Sequence, residues 1–314
     1  MTQQTGALAT VLIGIESAFK TIATAGFLLK VNSSSVKGTR DKKTPATIRG
    51  NVNPAEPFDG NVNVAGQIVV PIDSIAFWYW LQVMFGSPVT AGSDPYTHTY
   101  KAGTTRSSFT LEHQFTELGT SKYFQYTGCK VSSVSIAAGD DGELLATLDV
   151  VGALETIAAS SFDAAPTTPS FSRLKNSHLT MTEGGGALSN AKLVDCNINF
   201  GLDTSQFVIG GSGVLGSLPD GIMTVGGNIN TLFEDTSLLD KAIASTESAI
   251  ILTFANGASS ALSLTFPELH YARTSPAIEG PQGIAISLPF HGFYEDNADA
   301  TSFKAILTNG EAHA

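Results

Sequence analysis

Gly60-Asn61-Val62-Asn63-Val64-Ala65-Gly66 and Gly221-Ile222-Met223-Thr224-Val225-Gly226-Gly227 stand 161 positions apart, about half of the 314-residue chain, and share Gly, Val and Gly at matching places. The first stretch is followed by one acidic residue, Asp73, and the second by Glu234 and Asp235; each then leads to a compact apolar helical segment and β-rich runs that end at Gly152 in one case and near Gly292 in the other. A repeat of this period predicts two copies of one domain and not a solenoid of short units. It also predicts that each chain brings two similar surfaces to an assembly, so that a closed ring has twice as many pseudo-equivalent positions as subunits.

Working outward, alternation of apolar and polar residues predicts half-buried strands at 109–115 and through Lys130-Val131-Ser132-Ser133-Val134-Ser135-Ile136. Gly139-Asp140-Asp141-Gly142 predicts a tight turn into a strand over 144–151, because Asp and Gly tolerate positive φ. The second copy repeats this with 249–254, the turn Asn256-Gly257, 262–266 and a last strand over 284–290. Asp73 as N-cap and Gly86 before Pro88 bracket a helix over 74–85 that is apolar nearly all round. So much aromatic surface, Phe77, Trp78 and Trp80 above all, requires its own sheet on one face and a neighbouring domain or subunit on another, which makes these residues interface candidates. The second helix, about 236–245, is narrower, with Leu238, Leu239, Ala242 and Ile243 on one stripe.

Two segments read as extended loops or arms in equivalent places: 37–59, which holds Lys42, Lys43, Arg49 and the prolines Pro54 and Pro57, and the Gly- and Ser-rich 201–220. Lys42, Lys43 and Arg49 are expected to meet an acidic face of another subunit, in the next ring. The domains are expected at 1–157 and 173–314, with an Ala-, Ser-, Thr- and Pro-rich linker at 158–172.

With 42% hydrophobic residues both domains can fill cores. The apolar run 68–85 is broken by Pro71, Asp73 and Gln82, and the N-terminus has no basic region before its apolar stretch, so neither a membrane anchor nor a signal peptide is expected. Cys129 and Cys196 each fall in an expected strand and read as small buried thiols of a protein that folds in a reducing cytoplasm. A net charge of −11 opposes tight binding of nucleic acid, which needs Lys and Arg to displace counterions, but leaves open that the protein encloses it.

Catalytic signatures are missing from the sequence. Gly184-Gly185-Gly186 and Gly210-Gly211-Ser212-Gly213 lack the Gly-Lys-Ser/Thr ending of a phosphate loop, and 139–143 lacks the ligand spacing of a calcium loop. The six histidines have no metal-ligand spacing; His270 and His291 can approach each other, with a structural role expected. No catalytic, cofactor-binding or metal site is expected.

Ile48-Arg49-Gly50-Asn51, Pro54, Pro57 and the run from Gly60 to Val70, followed by a short helix ending at Gly86, resemble the tail tube proteins of long-tailed bacteriophages. The segments Val11 to Phe19 and Val31 to Val36 resemble the opening strand and turn of the same family, so the likeness covers roughly 8–155 and extends to the second half through the repeat. The resemblance implies a mainly β chain: two β-sandwich or barrel-like domains, each with a flanking helix, whose sheets join those of neighbours into a hollow barrel. Rings of six such domains, here three chains, would stack into a conduit in the virion tail, assembled in the host cytoplasm. Implied partners are other copies of the chain, a tape measure protein in the lumen, terminator and tail-tip or baseplate proteins, and double-stranded DNA passing without specific binding. An acidic lumen would keep that polyanion mobile. Asp140, Asp141, Glu143, Asp149, Asp195 and Asp203, at strand ends and turns, are the lumen candidates. The alternatives are a tail-tip hub or a head-decoration protein of the same fold; an adhesin would need an export signal.

Overall fold

The computed structural model describes residues 3–313 apart from 104, 140 and 279. The first half contains β1 (Thr10–Ile15), β2 (Phe27–Leu29), β3 (Ser33–Ser34), β4 (Lys37–Lys43), β5 (Phe58–Pro71), helix α1 (Phe77–Phe85), β6 (Val89–Gly92), β7 (Tyr96–Lys101), β8 (Phe109–Phe115), β9 (Lys122–Ala138), β10 (Leu145–Gly152) and β11 (Leu154–Ala158). The second contains β12 (Leu179–Glu183), β13 (Gly186–Ala187), β14 (Ala191–Asn199), β15 (Thr224–Leu232), helix α2 (Ser237–Ala244), β16 (Ser248–Ala255), β17 (Ala261–Tyr271), β18 (Ala285–Gly292) and β19 (Lys304–Asn309). The chain is mainly β, and the pairings between these strands are antiparallel.

One pairing scheme occurs twice. In the first half the inner layer runs β4-β5-β10-β9 and the outer layer runs β2-β1-β8-β9-β11. In the second, β14-β15-β18-β17 and β13-β12-β16-β17-β19 take the same places. Val64 lies opposite Gly152 and Val225 opposite Gly292, so the sequence repeat is also a repeat of register.

β9 serves both layers. Its first part pairs with β8 and β11 and its last part with β10, and the strand turns between them at Gly128, whose φ is +67°. A side chain there would be strained and would press within 3.0 Å of Ala153, Lys20 and Phe19. The buried Glu16 carboxylate fixes the bend, accepting hydrogen bonds from Gly128 N–H (2.8 Å), Ser108 Oγ (2.6 Å) and Thr110 Oγ1 (3.0 Å).

The halves interlock. Ser133 to Ala138 of β9 pair with Val194 to Asn199 of β14, so the inner layers form one sheet, β4-β5-β10-β9-β14-β15-β18. In the outer layer the β6–β7 hairpin of the first half extends the second half by pairing β7 with β19. Lys37 to Lys43, expected as part of an arm, is a strand: it pairs with β5 but is almost wholly exposed, so no apolar alternation marks it in the sequence.

Asp73 is not the N-cap expected of it: its Oδ1 accepts from Ile75 and Ala76 N–H in a turn, and α1 begins only at Phe77 with Ala76 before it, while Gly86, at φ +83°, ends the helix by donating to Gln82. All of α1 except Gln82 is buried. The neighbour that its aromatic girth demands lies in the same chain: Phe85 meets Phe200 and Phe303, and Trp78 stacks on His313 at 4.2 Å. Phe77, Trp78 and Trp80 are thus covered before any second subunit is present. Cys129 and Cys196 are buried, free thiols.

Candidate functional site

The joint sheet has two unlike faces, because successive residues of a strand point to opposite sides. On one side Ile68, Leu148, Val134, Ile136, Cys196, Ile198, Ile229 and Leu288 are buried in the core. On the other lie Gln67, Asp149, Ser133, Ser135, Asp195, Asn197, Asn199 and Asn228, across β5, β10, β9, β14 and β15. From β10 to β18 this polar face forms a shallow trough of about 610 Å³, and among the described residues that line it there is no lysine or arginine.

Short side chains hold each other in place along the trough. Asp149 accepts from Ser133 Oγ and from Gln67 Nε2 (3.1 Å), and Asp195 accepts from Asn197 Nδ2 (3.0 Å). Partial burial raises the Asp195 carboxyl above its ordinary value, against the opposing bonds from Asn228 N–H and Asn197. A surface lined by carboxylates and, among its described residues, without lysine or arginine offers no strong cation to grip phosphate.

The expected lumen residues divide. Asp149 and Asp195 are on this face. Glu143 is turned away, in an ion pair with Arg173 and accepting from Asn32 Nδ2 (2.9 Å). Asp141 is exposed in the turn, where its carbonyl accepts from Asn176 Nδ2 (2.7 Å). Asp203 sits in the 201–220 loop, its carboxyl held low by hydrogen bonds from Ser205 and Gln206. Asp140 lies outside the described residues. The uncharged Ser and Asn residues of the face were passed over in the sequence, although Asp195-Cys196-Asn197-Ile198-Asn199 carries the alternation that marks them.

The basic candidates lie on the β4–β5 hairpin. Lys42 and Arg40 pair with Asp59, Lys43 is exposed beside Phe58, and Arg49 Nη2 donates to Pro54 O (3.2 Å) within the arm 44–57. The other long loop, 201–220, is fastened to the first half. Leu215 and Leu218 bury beside Ala153, Lys20 Nζ donates to Leu215 O (2.8 Å), and Asp220 pairs with Arg106 and Lys130. Burial works to raise the Asp220 carboxyl, but those two cations hold it below its ordinary range. The Arg106 guanidinium also lies 4.0 Å over the Phe200 ring. His270 and His291 are direct cross-strand neighbours, with His270 stacked on Phe293.

The sequence pattern that defines phage tail tube proteins matches residues 6–292, spanning both halves. The chain belongs to the phage tail tube protein family. No curated protein matches it at a significant level. Family membership makes the chain a structural component of a phage tail, one that associates with copies of itself and with other tail parts. The continuous sheet and its cation-free trough are therefore features of a tail tube subunit. Among the described residues no helix is long and apolar enough to cross a membrane.

Proposed function

We propose that three copies of this tail tube subunit close a ring with pseudo-sixfold symmetry, that rings stack into a hollow tube, and that the Asp149–Asp195 face lines its lumen. The units of the ring are 1–157 and 173–314, with 158–172 between them. The observation that supports this reading is the β9–β14 seam, which joins the inner layers of two like units edge to edge within one chain. A sheet extended in this way around a ring has no open edges, so assembly and protection from aggregation come together.

The lumen works without catalysis or cofactor. It holds a tape measure protein during assembly in the host cytoplasm and later passes double-stranded DNA, which the carboxylates repel and keep centred. Terminator and tail-tip or baseplate proteins close the two ends. Negative-stain electron microscopy of the purified chain, with mass measurement of any rings, tests the reading. Six-lobed rings of three chains, or hollow tubes, are expected; a monodisperse monomer at high concentration would overturn it.

A further inference from the structure

The internal seam describes a second seam that the chain cannot make with itself. The repeat sets residue equivalences. Asn197, Ile198 and Asn199 of β14 oppose Gly226, Val225 and Thr224, as Lys37, Gly38 and Thr39 of β4 oppose Ala65, Val64 and Asn63. Lys130 opposes Val151 as His270 opposes His291; β9 then carries an extra residue, Ser132, before Ser133 meets Asp149, and a matching extra residue at Ala272 would carry Ser133, Val134 and Ser135 onto Arg273, Thr274 and Ser275. In the first half Ser133 to Ser135 are zipped onto Asn199 to Asn197. In the second half the equivalent residues follow the end of β17 and pair with no strand among the described residues. The outer edge of β4 is likewise unpaired by any described strand.

We infer that the seam between copies repeats the internal one: Lys37–Gly38–Thr39 of one copy pairs with Ser275–Thr274–Arg273 of the next, in that antiparallel register. This rests on the ring-forming reading above. In the single chain Gly38 N–H donates to Glu155 Oε2 (2.8 Å), so that side chain caps the edge, and closing the seam exchanges it for the Thr274 carbonyl. Three further observations fall on this seam. Ile278, in the place of the buried Ala138, is 82% exposed. His270 stands where Lys130 meets Asp220, and its Nδ1 is buried without a hydrogen bond; Asp59, 161 positions before Asp220, is the carboxylate the repeat brings to it. Ile48 and Val52 on the arm 44–57 are 97% and 103% exposed, whereas Leu215 and Leu218 on the equivalent loop are buried beside Ala153. By the same equivalence the arm is directed at Phe293 of the adjacent copy, in the place of Ala153.

Lys37 and Ser275 form the close, non-hydrogen-bonded kind of pair and face the lumen side, so cysteines there are within disulfide reach. The test is mild oxidation of assembled Lys37→Cys/Ser275→Cys, with Thr39→Cys/Ala277→Cys as the control four residues out of register. The native cysteines are buried and stay out of the reaction. Covalent oligomers ending at one ring are expected from the first variant and at least tenfold less product from the control. Intact rings or tubes with no cross-link, or with equal cross-linking in both, overturn the seam while leaving the tube reading in place. A parent chain that never assembles overturns both. Independently, Ile48→Asp/Val52→Asp should melt like the parent as a single chain yet need at least tenfold more protein to assemble; unchanged assembly would unseat the arm.

Discussion

His113 shows how much a single side chain couples this fold to pH. It sits on β8 against the Tyr126 ring, with Nε2 2.8 Å from Ser34 Oγ, and burial drives its pKa from 6.5 down to about 4. The folded chain therefore keeps it neutral while the unfolded chain takes up a proton, so its contribution is complete above pH 6.5 and is lost as pH falls towards 4. By pH 4.5 that loss is about 2.5 kcal/mol. Urea unfolding of parent and His113→Gln at pH 7.5 and 4.5 isolates it, since His313, also depressed, and Asp73, raised to about 6 by burial, act in both proteins and cancel. The variant should lose about 2.5 kcal/mol less than the parent across the interval; equal losses would show that His113 titrates normally in the fold.

At the scale of elements, α1 separates what local sequence dictates from what tertiary partners decide. Its C-terminal limit was legible because Gly86 acts on its immediate neighbours, whereas its start was not: Asp73 holds a turn over 74–76 and the helix begins at Phe77. Its demand for two partners was legible from its aromatic girth, but the identity of the second, Phe303 and His313 from the far end of the chain, was not. Pairing across more than 200 residues leaves no local periodicity. β4 was illegible for the opposite reason: an exposed, lysine-rich edge strand has no buried face to produce alternation. The trough was half legible, since strand alternation gives each strand a polar side but not the register that gathers those sides into one surface. The burial of α1 also fixes what its mutation does. Trp78 is 9% exposed within the chain, so Trp78→Ala should cost about 3–5 kcal/mol of folding stability before assembly is reached. Thermal melts of the unassembled chain would show a large drop in midpoint; an unchanged melt with lost assembly would instead place Trp78 between subunits.

For the whole molecule, the net charge of −11 matters less than where the cations are. Arg106 and Lys130 are spent on Asp220, Lys20 reaches the Leu215 carbonyl, and Arg40 and Lys42 engage Asp59, leaving the trough between β10 and β18 with Asp149 and Asp195 as its charges among the described residues that line it. In the proposed ring, whatever one chain places on that face would be multiplied, so a weak repulsion per subunit would become a continuous one along a stacked tube. Reversing it supplies the last prediction. Both residues are half-buried or exposed and off the apolar core, so Asp149→Lys/Asp195→Lys should still fold and form tubes of ordinary length. The new ammonium groups would each engage phosphate as DNA passes, adding counterion-release contacts that act as brakes. Particles carrying the variant should eject their DNA at least tenfold more slowly at low ionic strength, and raising the salt should restore most of the rate, because contacts of this kind weaken steeply with ionic strength. Ejection at the parental rate under both conditions, from tubes of normal appearance, would mean that this face does not line the conduit.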